Sequence, residues 1–105
     1  MAESKKELFS SDEQTVSQIA KALAHPARIK ILKILAQTNT CMVGDMVDLL
    51  PLSQSTVSQH LKELKQAGLI IGEIEGPKRC YCLNEEIIKK AKDFINQLFG
   101  NICNC

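Results

Sequence analysis

The sequence has no tryptophan, one tyrosine and three phenylalanines. With aromatic residues at only 4% of the chain, aliphatic side chains must fill any core. No apolar run approaches the roughly 18 residues that a membrane span needs. The opening, Met-Ala-Glu-Ser-Lys-Lys-Glu, leads into no apolar segment. No signal peptide or membrane partner is therefore expected, and the expected location is cytoplasmic. Charge of one sign is also lacking: Lys plus Arg is 13 and Asp plus Glu is 12, for a net +1. That balance excludes a strongly basic arm or an acidic tail. A nucleic-acid partner would have to be met by a local patch. A Gly-rich phosphate loop, the Cys-x-x-Cys redox spacing and paired carboxylates beside a histidine are all missing, so no enzyme is expected.

What is present fits one small folded domain. The chain has 105 residues, 45% hydrophobic and 24% charged. A domain of this size leaves much apolar surface uncovered, and dimerisation is a natural remedy. Cysteine is over-used, at Cys41, Cys80, Cys82, Cys103 and Cys105. An odd count in a chain expected in the cytosol argues against a disulfide framework. It suggests free thiols, a soft-metal site or a redox switch.

Residues 1–11 are polar and read as a loose tail, residues 12–102 as the folded domain, and residues 103–105 as a Cys-x-Cys tail. Val16, Ile19, Ala20 and Leu23 share one helical face, with Asp12 as its expected N-cap. His25-Pro26 interrupts this helix, and Pro26 can open a second at its first position. Ile29, Leu32 and Leu35 form the buried stripe of that helix, widened by Ile31 and Ile34. After the polar break Gln37-Thr38-Asn39-Thr40, residues Val43, Met46, Val47 and Leu50 read as a short third helix. Pro51 ends it. Ser53 is the expected N-cap of a fourth helix running to about Ala67, with Gly68 at the position that wants a left-handed residue. Leu69 to Glu75 is β-rich, Gly76-Pro77 marks a turn, and Lys78 to Leu83 is a second strand. Asn84 can cap a last helix that runs on to Ile102. Two short helices joined by Pro51-Leu52-Ser53 predict a helix-turn-helix, and the hairpin behind it predicts a wing. The expected fold is thus a mainly α winged helix-turn-helix with a small β-hairpin, in the order helix, helix, helix, helix, strand, strand, helix. A plain helical bundle carrying a hairpin is the alternative.

On a helical wheel, Val57, Leu61 and Leu64 of the fourth helix fall together and must face the core. Ser55, Ser58, Gln59, Lys62 and Gln66 lie opposite. This outer face holds hydroxyls, amides and a lysine but no carboxylate, which are groups suited to phosphates and base edges. Gln54, Ser55 and Thr56 add unpaired backbone N–H groups at the positive end of the helix dipole. At the hairpin tip, Lys78 and Arg79 can meet a phosphate backbone, although Glu73 and Glu75 dilute the positive field. The expected DNA contacts are therefore Gln54, Ser55, Thr56, Ser58, Gln59, Lys62, Lys78 and Arg79. A solvated helix face is the plainer reading. His60 lies at the edge of the buried face and reads as a hydrogen-bonded, half-buried histidine rather than a ligand.

Four separated motifs carry a resemblance. The run Ala22-Leu23-Ala24-His25-Pro26-Ala27-Arg28-Ile29-Lys30-Ile31-Leu32 resembles the opening of ArsR-type (ArsR/SmtB) regulators. Leu52-Ser53-Gln54-Ser55-Thr56-Val57-Ser58-Gln59-His60-Leu61 resembles their recognition helix. Leu64 to Leu69, and Glu75-Gly76 followed by Tyr81-Cys82-Leu83, match later motifs in the same order. The resemblance spans roughly Val16 to Phe99. It implies a homodimeric repressor that leaves an inverted-repeat operator in double-stranded DNA when an inducer binds. The turn Leu50-Pro51-Leu52 departs from the family pattern, because proline cannot take a left-handed conformation.

The expected dimer surface joins Val16, Ile19 and Leu23 of the first helix to Phe94, Ile95, Leu98, Phe99 and Ile102 of the last. No cofactor is obligatory; trivalent arsenic or antimony, or another soft metal, is the expected inducer. Arsenic sensors of this family carry a Cys-x-Cys box at the start of the third helix, where this chain has Met42 and Gly44. The last helix lacks the histidines of the zinc sensors. Some relatives place a cysteine pair near the C-terminus, which makes Cys103 and Cys105 the first candidates here. Cys80 and Cys82 come next. They lie two apart on a strand and point to one face, and a plainer role is to line the packed side of the wing. A thiol redox or sulfur-responsive switch and a metal-independent regulator are the alternatives.

Overall fold

The computed structural model describes residues 8–38, 42–43 and 46–102. Its elements are α1 (Ser11–Ala22), α2 (Pro26–Gln37), β1 (Met42–Val43), a 3-10 helix (Met46–Leu49), α3 (Gln54–Gln66), β2 (Ile70–Glu73), β3 (Cys80–Leu83) and α4 (Glu85–Ile102). The expected winged helix-turn-helix is present.

Three local expectations are corrected. The first helix is capped by Ser10, not Asp12: the Ser10 hydroxyl accepts from the Glu13 N–H, and the Glu13 carboxylate accepts from the Ser10 N–H. This is the reciprocal Ser-x-x-Glu capping box, and it leaves Asp12 to favour the helix dipole from the first turn. The third helix is the second correction. Among the described residues, Met42–Val43 is a strand and Met46–Leu49 turns as a 3-10 helix. The third follows from it: the wing belongs to a three-stranded sheet of order β1-β3-β2, with Met42 opposite Tyr81 and Val43 opposite Cys80.

Other boundaries follow from residue chemistry. Pro26 opens α2 at its first position. Leu50-Pro51-Leu52 connects the 3-10 helix to α3 without a left-handed residue, since no described non-glycine residue has positive φ. At the end of α3, the Gly68 N–H donates to the Lys65 carbonyl and the Leu69 N–H to that of Leu64. Gly68 takes φ +85°, which completes a Schellman cap. Gly72, at φ +111°, lies so close to β3 that an added Cβ would sit 2.2 Å from the Cys80 carbonyl oxygen. Only glycine fits there.

The core lies where α1, α2, α3 and the sheet meet. Ile31, Met46, Leu64, Ile70 and Tyr81 are its most deeply buried large side chains. Val57, Leu61 and Leu64 anchor α3 as the wheel predicts. The last helix packs on α1 but buries only Ala91 completely. Leu98, Phe99 and Ile102 remain exposed. Among the described residues, no helix is long and apolar enough to cross a membrane.

Candidate DNA-binding interface

The recognition surface starts at Ser53. Its hydroxyl caps α3 by accepting from the Thr56 N–H, and it lies 2.9 Å from the Thr56 hydroxyl and 3.3 Å from that of Ser55. This cluster fixes the first turn. Gln54, Ser55, Thr56, Gln59 and Lys62 are exposed and Ser58 is half-buried, because the opposite face of the helix is held in the core. These are the α3 groups expected to meet DNA, and the fold leaves all of them but Ser58 exposed.

The outer face is not as free of carboxylate as the wheel suggests. Gln59 Nε2 donates to Glu63 one turn further on, at 3.4 Å. Lys62 Nζ lies 3.1 Å from Glu75 Oε1, an acid contributed by the wing. Helical periodicity cannot reveal this second contact, because the hairpin brings Glu75 back over α3. The wing turn itself holds exposed Lys78 and half-buried Arg79. Its chain reverses at Gly76, where φ is +87°.

Behind α3 stands a polar contact that the motifs also do not reveal. Arg28 Nε donates to His60 Nδ1 at 3.1 Å, and Arg28 Nη1 donates to the Ala22 carbonyl at 3.2 Å. The His25 ring lies 5.5 Å from that of His60, tilted by 50°. Burial, then the Arg28 charge, then His25 push the His60 pKa below its usual 6.5. His60 is half-buried and hydrogen-bonded.

The cysteines divide. Cys41, Cys103 and Cys105 lie outside the described residues. In the wing, Gly72 opposes Tyr81, Ile71 opposes Cys82 and Glu73 opposes Cys80. Tyr81 faces the core, so Cys80 and Cys82 project from the other side, with Cys80 exposed and Cys82 half-buried. They do not line the packed side of the wing. Two residues along one strand separate their Cα atoms by about 6.6 Å with parallel side chains. A disulfide needs Cβ atoms only about 4 Å apart, so this pair cannot close one without bending the strand. Among the described residues, no three His, Cys, Asp or Glu side chains cluster well enough to hold a metal ion. Among the described residues, the wing pair therefore offers two thiols without a third ligand beside them.

Of the apolar residues expected to face a partner, Ile19 is only 2% exposed, its surface already covered by its own chain. Val16, Leu23, Phe94 and Ile95 are half-buried, while Leu98, Phe99 and Ile102 stand out.

A helix-turn-helix with a polar outward face beside a β-hairpin defines a winged helix-turn-helix DNA-binding protein. Residues 25–71 match the family described as "Bacterial regulatory protein, arsR family". The chain is 32% identical over 85 residues to an uncharacterised HTH-type transcriptional regulator of Methanocaldococcus jannaschii, covering 81% of this chain and 96% of that one. It is 38% identical over 86 residues to the arsenical resistance operon repressor of Bacillus subtilis, covering 82% and 78%. An ArsR-like transcriptional regulator from Rhodococcus sp. RHA1 shares the fold, with a TM-score of 0.69 and 19% identity over 88% of this chain and 86% of that one. The chain belongs to the arsR family of transcriptional regulators, which are not enzymes.

Proposed function

We propose that the protein is a homodimeric repressor that binds an inverted-repeat operator through α3 and the wing and is released by a thiophilic inducer, most plainly trivalent arsenic. The observation that carries the DNA reading is the outward face of α3, where Gln54, Ser55, Thr56, Gln59 and Lys62 are exposed above a buried Val57-Leu61-Leu64 anchor. Gln59 reads a base edge in the major groove, the capped first turn holds a phosphate, and Lys78 and Arg79 add affinity without sequence choice. The dimer rests on the exposed end of α4. Phe99 and Ile102 are 58% and 67% exposed, and leaving such surface in water costs about 25 cal/mol per Å². The protein works where operator DNA is, in the cytoplasm.

The inducer reading rests on the thiols. Trivalent arsenic takes three thiolates, and soft ligands suit it. Cys103 and Cys105 supply two, and Cys80 or Cys82 of the partner subunit supplies the third. Exposure of Cys80 on the outer side of the wing supports its availability. A ligand shared between subunits acts on the angle between recognition helices, which gives the differential affinity that release requires.

The test is fluorescence anisotropy on a labelled inverted-repeat duplex. Gln59→Ala is expected to cost about 1–3 kcal/mol and relax selectivity at one base position. Unchanged, equally selective binding would overturn the assignment of Gln59. Arsenite is expected to release the wild-type complex but not the Cys103→Ser, Cys105→Ser double variant. Release of both at one concentration would remove these thiols from the sensor, and release by oxidant alone would favour the redox reading.

A further inference from the structure

Three helices converge on one guanidinium. Arg28 stands in the first turn of α2 and is half-buried. One of its nitrogens holds the carbonyl of Ala22, the last residue of α1, at 3.2 Å. Another holds Nδ1 of His60, in the middle of α3, at 3.1 Å. The residues beside His60 have fixed tasks: Leu61 is buried in the core, and Gln59 is exposed on the outward face. Whatever holds the imidazole therefore sets how α3 is presented.

An arginine side chain only donates and keeps its charge. The bond therefore requires a lone pair on His60 Nδ1, so the imidazole is neutral with its proton on Nε2. Protonation at Nδ1 destroys the acceptor and sets an imidazolium against the Arg28 cation. Arg28 also lines a surface hollow whose other titratable groups are Lys21 from α1, His25 from the α1–α2 junction, whose ring neighbours that of His60, and Glu63 from α3. Glu63, the only acid among them, already accepts from Gln59. Little in the surroundings would welcome a second positive charge, in keeping with the depressed pKa of His60.

We propose that Arg28 is a positioning residue for operator binding, which holds the recognition helix against the end of α1 through neutral His60 and lets go when His60 takes up a proton. The proposal rests on the operator-binding reading above. Because α1 also contributes to the proposed dimer surface, the clamp is a short mechanical link between dimerisation and recognition helices. The sign of its pH dependence is diagnostic. A protein that simply gains positive charge on acidification binds DNA more tightly. Opening this clamp does the reverse.

The experiment measures operator affinity by anisotropy from pH 8 to pH 5 at constant ionic strength, alongside the NMR titration of His60 in the free, full-length protein. Affinity is expected to fall about tenfold as His60 protonates, with the His60 midpoint below 6.5. In Arg28→Ala the His60 midpoint is expected to move up and affinity at pH 7.5 to drop. His60→Asn keeps a neutral acceptor near Nδ1 that cannot take up a proton, so whatever its affinity at pH 7.5 it is expected to lose the acid-induced weakening. It also keeps the test decisive should Arg28→Ala fail to fold. Affinity that rises steadily on acidification, or an Arg28→Ala protein with wild-type affinity and profile, would overturn the proposal. Failure of the wild type to bind the duplex at any pH would sink the operator reading instead. In that case a His60 midpoint at or above 6.5, unmoved in Arg28→Ala, would still refute the clamp.

Discussion

Glu75→Gln should make the protein bind its operator more tightly. In the free protein the Glu75 carboxylate lies 3.1 Å from the Lys62 ammonium, with the two side chains 58% and 51% exposed. A pair this open to solvent is worth about 0.2–1 kcal/mol. Lys62 must give up that partner to meet a phosphate, so the pair's energy is subtracted from binding. Removing it returns about 1.4- to 5-fold in affinity for each recognition helix, at 1.4 kcal/mol per tenfold. For a two-fold dimer engaging both half-sites the gain compounds to about 2- to 25-fold. Loss of the acid's own repulsion of phosphate acts in the same direction. If Lys62 gains a full phosphate contact, the slope of log affinity against log salt should steepen by about 0.9 per contact. Anisotropy titrations at several salt concentrations measure both quantities. Thermal stability should fall by no more than the pair's own worth, about 0.2–1 kcal/mol, since both groups are at the surface. A double-mutant cycle completes the test: in a Lys62→Ala background the gain from Glu75→Gln should shrink. An E75Q protein with unchanged affinity and salt slope, alongside a weakened K62A, would show that Glu75 does not compete with DNA for Lys62.

Two further outcomes follow from the geometry. Gly72→Ala should destabilise the fold by at least about 1–3 kcal/mol, because alanine is strained at φ +111° and its methyl would strike the Cys80 carbonyl; a melting temperature equal to wild type would contradict the hairpin geometry. Phe99→Glu removes an exposed side chain, so the monomer should keep its helical circular dichroism while analytical ultracentrifugation shows the dimer dissociating; an intact dimer at micromolar concentration would move the interface elsewhere.

What was legible in the sequence was local. The caps at Ser53 and Gly68, the opening of α2 at Pro26, and the Val57-Leu61-Leu64 anchor each depend on residues within about a helical turn of one another, where periodicity and turn chemistry act directly. The third helix misled because Val43 and Met46 share a helical spacing while Met42–Val43 pairs with β3. Pairing with a distant strand outweighs a spacing pattern in so short a segment, since it satisfies backbone groups that a single helical turn would leave open. The candidate interface divides along the same line. Its displayed side chains follow from a helical wheel, but their partners do not. Glu75 reaches Lys62 because the hairpin folds back over α3, and Arg28 reaches His60 because α2 packs across it. Both partners are charged, and both contact the recognition helix from another element. On the proposed function, the exposed residues of α3 form the face that would meet the operator. How readily it does so would then depend on two charged residues from other elements, Glu75 paired with Lys62 and Arg28 bonded to His60.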